Sequence, residues 1–326
     1  MNYFLSGDIG GTKTLLQICA ANVLIPVLRK SYSSAAYAGL ENMLDDFLAE
    51  AKIHDIYAAC FALAGPVSGR VVKLTNLPWA VDGDVLAKRF HFRHVVLIND
   101  FEAVGHGISA LKPEDLHTIQ PGEELANGVR LVVGAGTGLG VAWMSVQGKT
   151  YQVHPSEGGH MDFAPLGDRQ CLLLSYLQRH HEHVSYERIV SGPGLVSIFE
   201  FIRDMGFAQP SPQILTEMEE GDAAAVITRY SHQEGEAIAR MTVDLFLLVY
   251  GAFVGNLALA SLPRGGIYIA GGIAAKMVAQ IQQGGFLKAY MAKGRFSGLL
   301  ATMPIHIVLN ESVGLMGANL IAQRQV

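Results

Sequence analysis

An amide and a carboxylate stand side by side at Asn99-Asp100, where the apolar run Val95-Val96-Leu97-Ile98 ends. That run has the β-branched character of a strand buried on both faces. A carboxylate at the carboxyl end of such a strand sits where open α/β sheets hold their ligands. Both residues also suit the cap of the helix expected over 102–108, so on their own they leave a capping and a ligand-facing role equally open.

Two glycine turns offer a second kind of chemistry. Gly7-Asp8-Ile9-Gly10-Gly11-Thr12 lies between the strand-like Tyr3-Phe4-Leu5 and Leu15-Leu16-Gln17-Ile18. Gly134-Ala135-Gly136-Thr137-Gly138-Leu139-Gly140 lies between Leu131-Val132-Val133 and Val141–Val146. Glycines let several backbone N–H groups close around an anion. Asp8 is a poor phosphate contact by charge unless a metal ion lies between the two. The first turn is not a Walker A loop, because Thr12 takes the second glycine's place and a strand follows. The second is not a dinucleotide fingerprint, because Leu139 takes the third glycine's place and again a strand follows. Two such strand–turn–strand units suggest duplicated halves gripping one polyphosphate from both sides.

A third group lies in Ser156–Phe163. Glu157 and His160 have the spacing of a helical metal site, but Gly158-Gly159 oppose a helix and no second such pair exists. A polar loop for small-molecule hydroxyls is favoured over a metal site or a plain surface turn. Glu187 has Arg188 beside it as a surface ion-pair partner, and His180, His181 and His183 read as a solvated helix end. Gly271-Gly272, after Ile267–Ala270, suits a flat base or ribose over the backbone.

The elements that must position these groups follow from periodicity. A helix is expected over 39–52 with Leu40, Met43, Leu44, Phe47 and Leu48 on one face, and a strand over 56–63. Residues 74–79 read as a loop offering Asn76, 82–90 as a short helix, and 111–128 as a loop crossing between domains. A helix over 168–180 turns Cys171, Leu172, Leu174 and Leu177 inward, and Ser191 caps the next with Gly192-Pro193 in its first turn. A long helix spans about 232–262, a helix 273–283, a strand 305–309 and a terminal helix 314–323. The last docks on the first domain through Leu315, Met316, Leu320 and Ile321.

Composition bounds the rest. The 326 residues suggest two domains; half are apolar, 16% are charged, and the net charge is −5. With no basic cluster, nucleic-acid binding is not expected. Met241–Leu262 holds Gly251, Gly255, Asn256 and Asp244, as a buried core helix rather than a membrane span would. The start reaches Gly7 and Asp8 too soon for a signal leader. Three cysteines without a CxxC pair fit reduced thiols in a cytoplasm, each in the core.

The blocks GDIGGT, LINDFEAVGHGI, VGAGTGLGVA, EGGHMDFAP, ERIVSGPGL, GNLAL, IAGGI and GLMGA together resemble the bacterial glucokinase family over almost the whole chain. This is the sugar-kinase branch of the actin/hexokinase-like ATPase superfamily. The resemblance implies an α/β fold of two domains with duplicated actin/hexokinase-like (ribonuclease H-like) mixed-sheet architecture and an interdomain cleft. Residues 1–110 plus about 302–326 would form the small domain and about 111–301 the large one. It also implies transfer of the γ-phosphoryl group of ATP to the 6-hydroxyl of glucose, with Mg²⁺, in cytoplasmic glycolysis, by a homodimer.

Carried over residue by residue, Asp100 is the catalytic base, and Asn99, Glu157, His160 and Glu187 hold the sugar. Asp8, Gly10, Gly11 and Thr12 form the first phosphate loop, with Asp8 on the magnesium side through water. Gly134, Gly136, Thr137 and Gly138 form the second, and Gly271 and Gly272 match the adenosine segment. Lys13 departs from the smaller polar residue of relatives, and the zinc motif of the repressor-and-kinase sister group is absent. A kinase for another hexose or amino sugar, a sugar-sensing ATPase with weak kinase activity, and polyphosphate as donor stay open.

Overall fold

The computed structural model describes residues 2–325 except 54, 75, 76 and 234, so Asn76 lies outside the described residues. The chain begins β1 (Tyr3–Ile9), β2 (Lys13–Ala20), β3 (Pro26–Ser33), α1 (Leu40–Ala51) and β4 (Ile56–Leu63). It continues β5 (Val71–Lys73), β6 (Ala80–Asp82), α2 (Gly83–Phe90), β7 (His94–Asn99) and α3 (Asp100–Ile108). Next come β8 (Leu116–Gln120), β9 (Arg130–Ala135), β10 (Leu139–Gln147) and β11 (Thr150–Ser156). A helical stretch holds α4 (Gly167–Leu177), α5 (Gly192–Asp204), α6 (Pro212–Glu220), α7 (Ala223–Tyr230) and α8 (Ala237–Ser261). The chain closes with β12 (Ile267–Ala270), α9 (Gly272–Lys276), α10 (Val278–Gln282), α11 (Gly285–Met291), α12 (Ser297–Ala301), β13 (Ile305–Val308) and α13 (Val313–Gln323).

Contacts divide the chain into two compact units. Unit 1 is Met1–Asp115, Val146–Pro155 and Asn310–Val326; unit 2 is Leu116–Ser145 and Ser156–Leu309. The unit 1 sheet has the order β3-β2-β1-β4-β7, with β1 antiparallel to β2 and parallel to β4. The second sheet runs β11-β10-β9-β12-β13-β8, with β9 antiparallel to β10 and parallel to β12. The second order repeats the first and adds β8 at one edge, as the paired glycine turns led one to expect.

Strand β4 is apolar along its whole length because both faces of its sheet are covered. On one face Leu5, Ile9, Leu16 and Phe61 pack with Leu40, Met43, Leu44 and Phe47 of α1. The other face is built from small residues: Ala58, Cys60 and Ala62 meet Ala103 of α3 and Ala318 and Ala322 of α13. There the two helices touch backbone to backbone. A Cβ on Gly317 would stand 1.8 Å from the Ala103 carbonyl oxygen, and one on Gly107 2.0 Å from that of Val313. In unit 2, α8 is long and apolar enough to cross a membrane by length and composition, but it lies mostly buried in the core.

Several local expectations are corrected. The 111–128 crossing contains strand β8, which pairs antiparallel with β13. On α4 the buried residues are Gln170, Leu173 and Leu177, spaced i, i+3, i+7, which turns Cys171 and Leu172 outward. The 273–283 helix breaks at the fully buried Met277 into α9 and α10, and the long helix starts only at Ala237, after Gly235 at φ 101°. On α13 the close backbone contact falls on Gly317, and Gly314, Leu315, Ala318 and Ala322 are buried, whereas Met316, Leu320 and Ile321 are half-buried.

Gly317→Ala should therefore push α13 off α3. The expected loss is about 2 kcal/mol or more, because the clash is with backbone and cannot be relieved by a rotamer change. A urea melt checks it: the midpoint should fall at an unchanged slope, and an unaltered midpoint would contradict the close approach.

Candidate active site

In unit 1 the first glycine loop is the β1–β2 turn. Gly10 N–H donates to the Lys13 carbonyl at 3.1 Å, and a Cβ on Gly10 would stand 2.8 Å from that oxygen. Buried Ser34, which the motif reading missed, fastens the loop: its hydroxyl donates to the Gly10 carbonyl at 2.8 Å and its N–H to that of Thr12 at 3.0 Å. Thr14, also buried, lies 2.9 Å from the same hydroxyl. Gly11 is half-buried, and Thr12 and Lys13 are left exposed.

Asp8, near the end of β1, faces α13, where a Cβ on Gly314 would reach to 3.5 Å of its Oδ2. Its carboxylate has no hydrogen-bond partner among the described residues. Burial pushes this carboxyl up to about 6, opposed by the nearby charge of Lys13.

Asn99 caps α3. Its Oδ1 accepts from Phe101 N–H at 2.9 Å and Glu102 N–H at 3.1 Å, while Nδ2 donates to the Gly65 carbonyl at 3.0 Å. Asp100 is the first residue of the helix, where the macrodipole favours an anion, and its Oδ1 accepts from Phe101 N–H at 2.8 Å. One turn on, burial raises Glu102, and His106 is pushed down to about 4 by burial and the charge of Arg324.

In unit 2 the second glycine loop joins β9 to β10. Gly134 pairs with Gly140 across the strands, Gly136 N–H donates to the Gly138 carbonyl at 2.8 Å, and the Gly136 carbonyl accepts from Gly192 N–H at 2.8 Å. Glu187 reaches this loop: its Oε2 accepts from Leu139 N–H at 2.8 Å, and a Cβ on Gly138 would stand 2.7 Å from that oxygen. It is therefore not an ion-pair partner of Arg188.

Glu157, His160 and Glu187 come together. His160 Nε2 lies 3.9 Å from Glu157 Oε2 and 4.0 Å from Glu187 Oε1. Gly158–His160 form a single 3₁₀ turn, and Gly159 is required because a Cβ there would stand 1.9 Å from the Leu139 carbonyl. The segments carrying these side chains are zipped by Tyr186 N–H to the Met161 carbonyl and Phe163 N–H to that of Val184, at 3.0 and 2.9 Å. Asn256, of the GNLAL block, donates to the Tyr186 hydroxyl at 2.9 Å. Ser191 caps α5 as expected and donates to the Glu187 carbonyl at 2.7 Å.

A cavity of about 560 Å³ in unit 2 is lined by Gly136, Thr137, Gly192, Pro193 and Gly272, so the second glycine loop and Gly272 border one space. Gly271 turns the chain there at φ 86°, where a Cβ would stand 2.4 Å from the Ala135 carbonyl, and nothing stands within 4 Å of a Cβ on Gly272. The remaining wall was not legible in the motifs: Asp222–Ala225, Thr228, Arg229, His232 and Lys276. The N-termini of α5 and α7 border this space, with their first-turn N–H groups already bound: Gly192 to the Gly136 carbonyl, Gly194 to Ser191 Oγ, and Ala224 and Ala225 to Asp222 Oδ1. Among the described residues no group of three or more His, Cys, Asp or Glu could hold a metal ion.

A glucokinase family profile matches residues 5–325. The chain belongs to the glucokinase family. The glucokinase of Nostoc punctiforme is 44% identical over 99% of this chain and all of its own length. That of Synechocystis is 40% identical over 98% of this chain and 97% of its own. The crystal structure of a glucokinase from an Antarctic psychrotroph superposes with a TM-score of 0.82 at 27% identity, covering 99% of each chain. The glucokinase of Balamuthia mandrillaris, crystallised with glucose, shares the fold at 22% identity and a TM-score of 0.83, over 99% of this chain and 94% of its own. The actin/hexokinase-like architecture of the family is thus the architecture of this chain.

The buried carboxylate of Asp8 makes a prediction about stability. An acid whose folded pKa is raised penalises the folded state when ionised: the penalty is absent below about pH 3.8, grows to about pH 6 and is full above. Asp8→Asn should stabilise the ligand-free protein by about 2–3 kcal/mol at pH 8 and by nothing near pH 4. Thermal melts at the two pH values check it, and an equal effect at both would contradict the burial argument.

Proposed function

We propose that the chain is a glucokinase that transfers the γ-phosphoryl group of ATP to the 6-hydroxyl of glucose. The observation that carries this reading is the Glu157–His160–Glu187 cluster tied to the second glycine loop through the Glu187–Leu139 hydrogen bond. It links hydroxyl-reading groups with a phosphate-binding backbone in one unit. The two compact units are proposed as the two domains of the enzyme.

Phosphoryl transfer asks a protein for positioning and charge stabilisation. In this reading the N–H groups of Thr137 and Gly138 are phosphate ligands in unit 2, those of Gly11 and Thr12 have the same role in unit 1, and Gly271-Gly272 lie under the nucleoside. Glu157, His160 and Glu187 read sugar hydroxyls in unit 2, and the remaining N–H of the Asn99 amide is assigned the same task in unit 1. A site built to bond a hydroxyl rejects a sugar that lacks it, because its own polar groups are then left unpaired. Asp100 accepts the 6-hydroxyl proton as the new O–P bond forms and the bond from the γ-phosphorus to the bridging oxygen breaks, leaving ADP. Mg²⁺ supplies neutralisation of the phosphate oxygens when bound. Asp8 fits as its holder through water, since a desolvated carboxylate without a hydrogen-bond partner is relieved by a cation. The same reading has the enzyme act as a homodimer in the cytoplasm, feeding glycolysis; its free thiols Cys19, Cys60 and Cys171 accord with a reducing compartment.

The test is sugar 6-phosphate formation from glucose and Mg-ATP, beside mannose, N-acetylglucosamine and a blank without sugar. Turnover strongest with glucose supports the reading, and ATP consumption in the blank alone would overturn it. Asp100→Asn should lower kcat by about 10²–10⁴-fold with little change in sugar affinity. Gly138→Ala should displace the Glu187 carboxylate and raise the KM for glucose by about tenfold, the cost of one charge-assisted hydrogen bond. Unchanged kinetics would detach Glu187 from the sugar.

A further inference from the structure

We propose that His232 is a specificity-determining residue of the nucleotide cavity, donating from Nδ1–H to a ring nitrogen of the adenine. This rests on the ATP reading above. The argument begins with a hydrogen-bond chain behind the cavity wall whose polarity is fixed from one end. The Ser231 hydroxyl donates its only proton to the Thr228 carbonyl at 2.7 Å. Its oxygen can therefore only accept from the Gln280 amide, 3.3 Å away, so the Gln280 atom facing it is the nitrogen. That nitrogen has a second hydrogen, and the Nε2 of His232 lies within its reach.

Nε2 of the neutral imidazole is then the acceptor, and the ring proton resides on Nδ1. Gln280 is buried on α10, so the tautomer is set by the protein before any ligand arrives. His232 and Thr228 both line the cavity that Gly136 and Thr137 border. What His232 offers there is a neutral donor. In the proposed reading the phosphate oxygens meet Thr137 and Gly138 of the second glycine loop instead. Of the cations in the wall, Arg229 is paired with Glu217, and Lys276 is exposed, as His232 is. Leu195, Val196, Ala224 and Ile273 give the same cavity apolar surface suited to the faces of a flat base. A purine brings ring nitrogens that accept; a polyphosphate chain brings none.

The experiment compares the wild type, His232→Leu and His232→Asn with ATP and its 1-deaza, 3-deaza and 7-deaza analogues, each with saturating glucose and Mg²⁺. Asn retains a donor near the Nδ1 position. The wild type should lose about 5–10-fold in kcat/KM with one analogue, the expected effect of one neutral hydrogen bond. His232→Leu should lose the same factor with ATP, chiefly in KM, and nothing further with that analogue, while the KM for glucose stays put. His232→Asn should recover most of the loss. An unaltered KM for ATP in His232→Leu, or an analogue penalty that persists there in full, overturns the assignment. If the wild type makes no sugar phosphate, the functional reading has failed instead, and calorimetric binding of the same nucleotides to the same variants decides the role of His232. Absence of any nucleotide binding overturns both.

Discussion

The close approach of α3 and α13 is the constraint on which the rest of unit 1 depends. Gly107 and Gly317 let the two backbones touch, and no side chain larger than a hydrogen atom fits at either position. The helix that begins with Asp100 is thereby fixed against the helix whose first turn, at Gly314, borders Asp8. Two carboxylates from distant stretches of the chain are thus referenced to one rigid contact. Small residues do this better than large ones, because a backbone contact has no rotamers through which to drift.

Unit 2 solves the same problem with a side chain. Glu187 bridges from its own 3₁₀ turn to Leu139 N–H, which ties that turn to the second glycine loop. Gly138 and Gly159 leave room for that arrangement, the first for the carboxylate and the second for the Leu139 carbonyl. The glycines of this region therefore serve two ends: some leave N–H groups open to an anion, others clear space for neighbouring protein atoms. Only the first role is implied by a phosphate-loop motif.

That difference explains how much the sequence could say. The strand of Ile56–Leu63 and the Ser191 cap fall where local periodicity and chemistry put them. The two glycine turns, by contrast, are shorter than expected, because β1 runs on to Ile9 and β9 and β10 take in Gly134-Ala135 and Leu139-Gly140. The Glu157, His160 and Glu187 grouping was legible only through the resemblance, because nothing local joins residues thirty positions apart. Local pattern places Cys171 in the core because α4 is apolar on more than one side, and only the neighbouring elements decide that Leu173 and Leu177 point inward. His232 and Asp222–Ala225 carry no motif at all. Their placement depends on how α7 and the turn after it pack, a property of tertiary structure.

Capping by Asn99 does not compete with the ligand-facing role proposed for it. Its oxygen is committed to two backbone N–H groups and one amide hydrogen to the Gly65 carbonyl, which fixes the direction of the second hydrogen. Glu187 divides its two oxygens in the same way, one on Leu139 N–H and the other toward His160. His232 repeats the pattern with its two ring nitrogens. In each case one polar atom is bound to the protein and its partner is thereby oriented before the ligand arrives. The orientational entropy is lost on folding rather than on binding, which favours both affinity and discrimination. A side chain held only by packing would leave both atoms free to rotate, and would present a donor or an acceptor with equal ease.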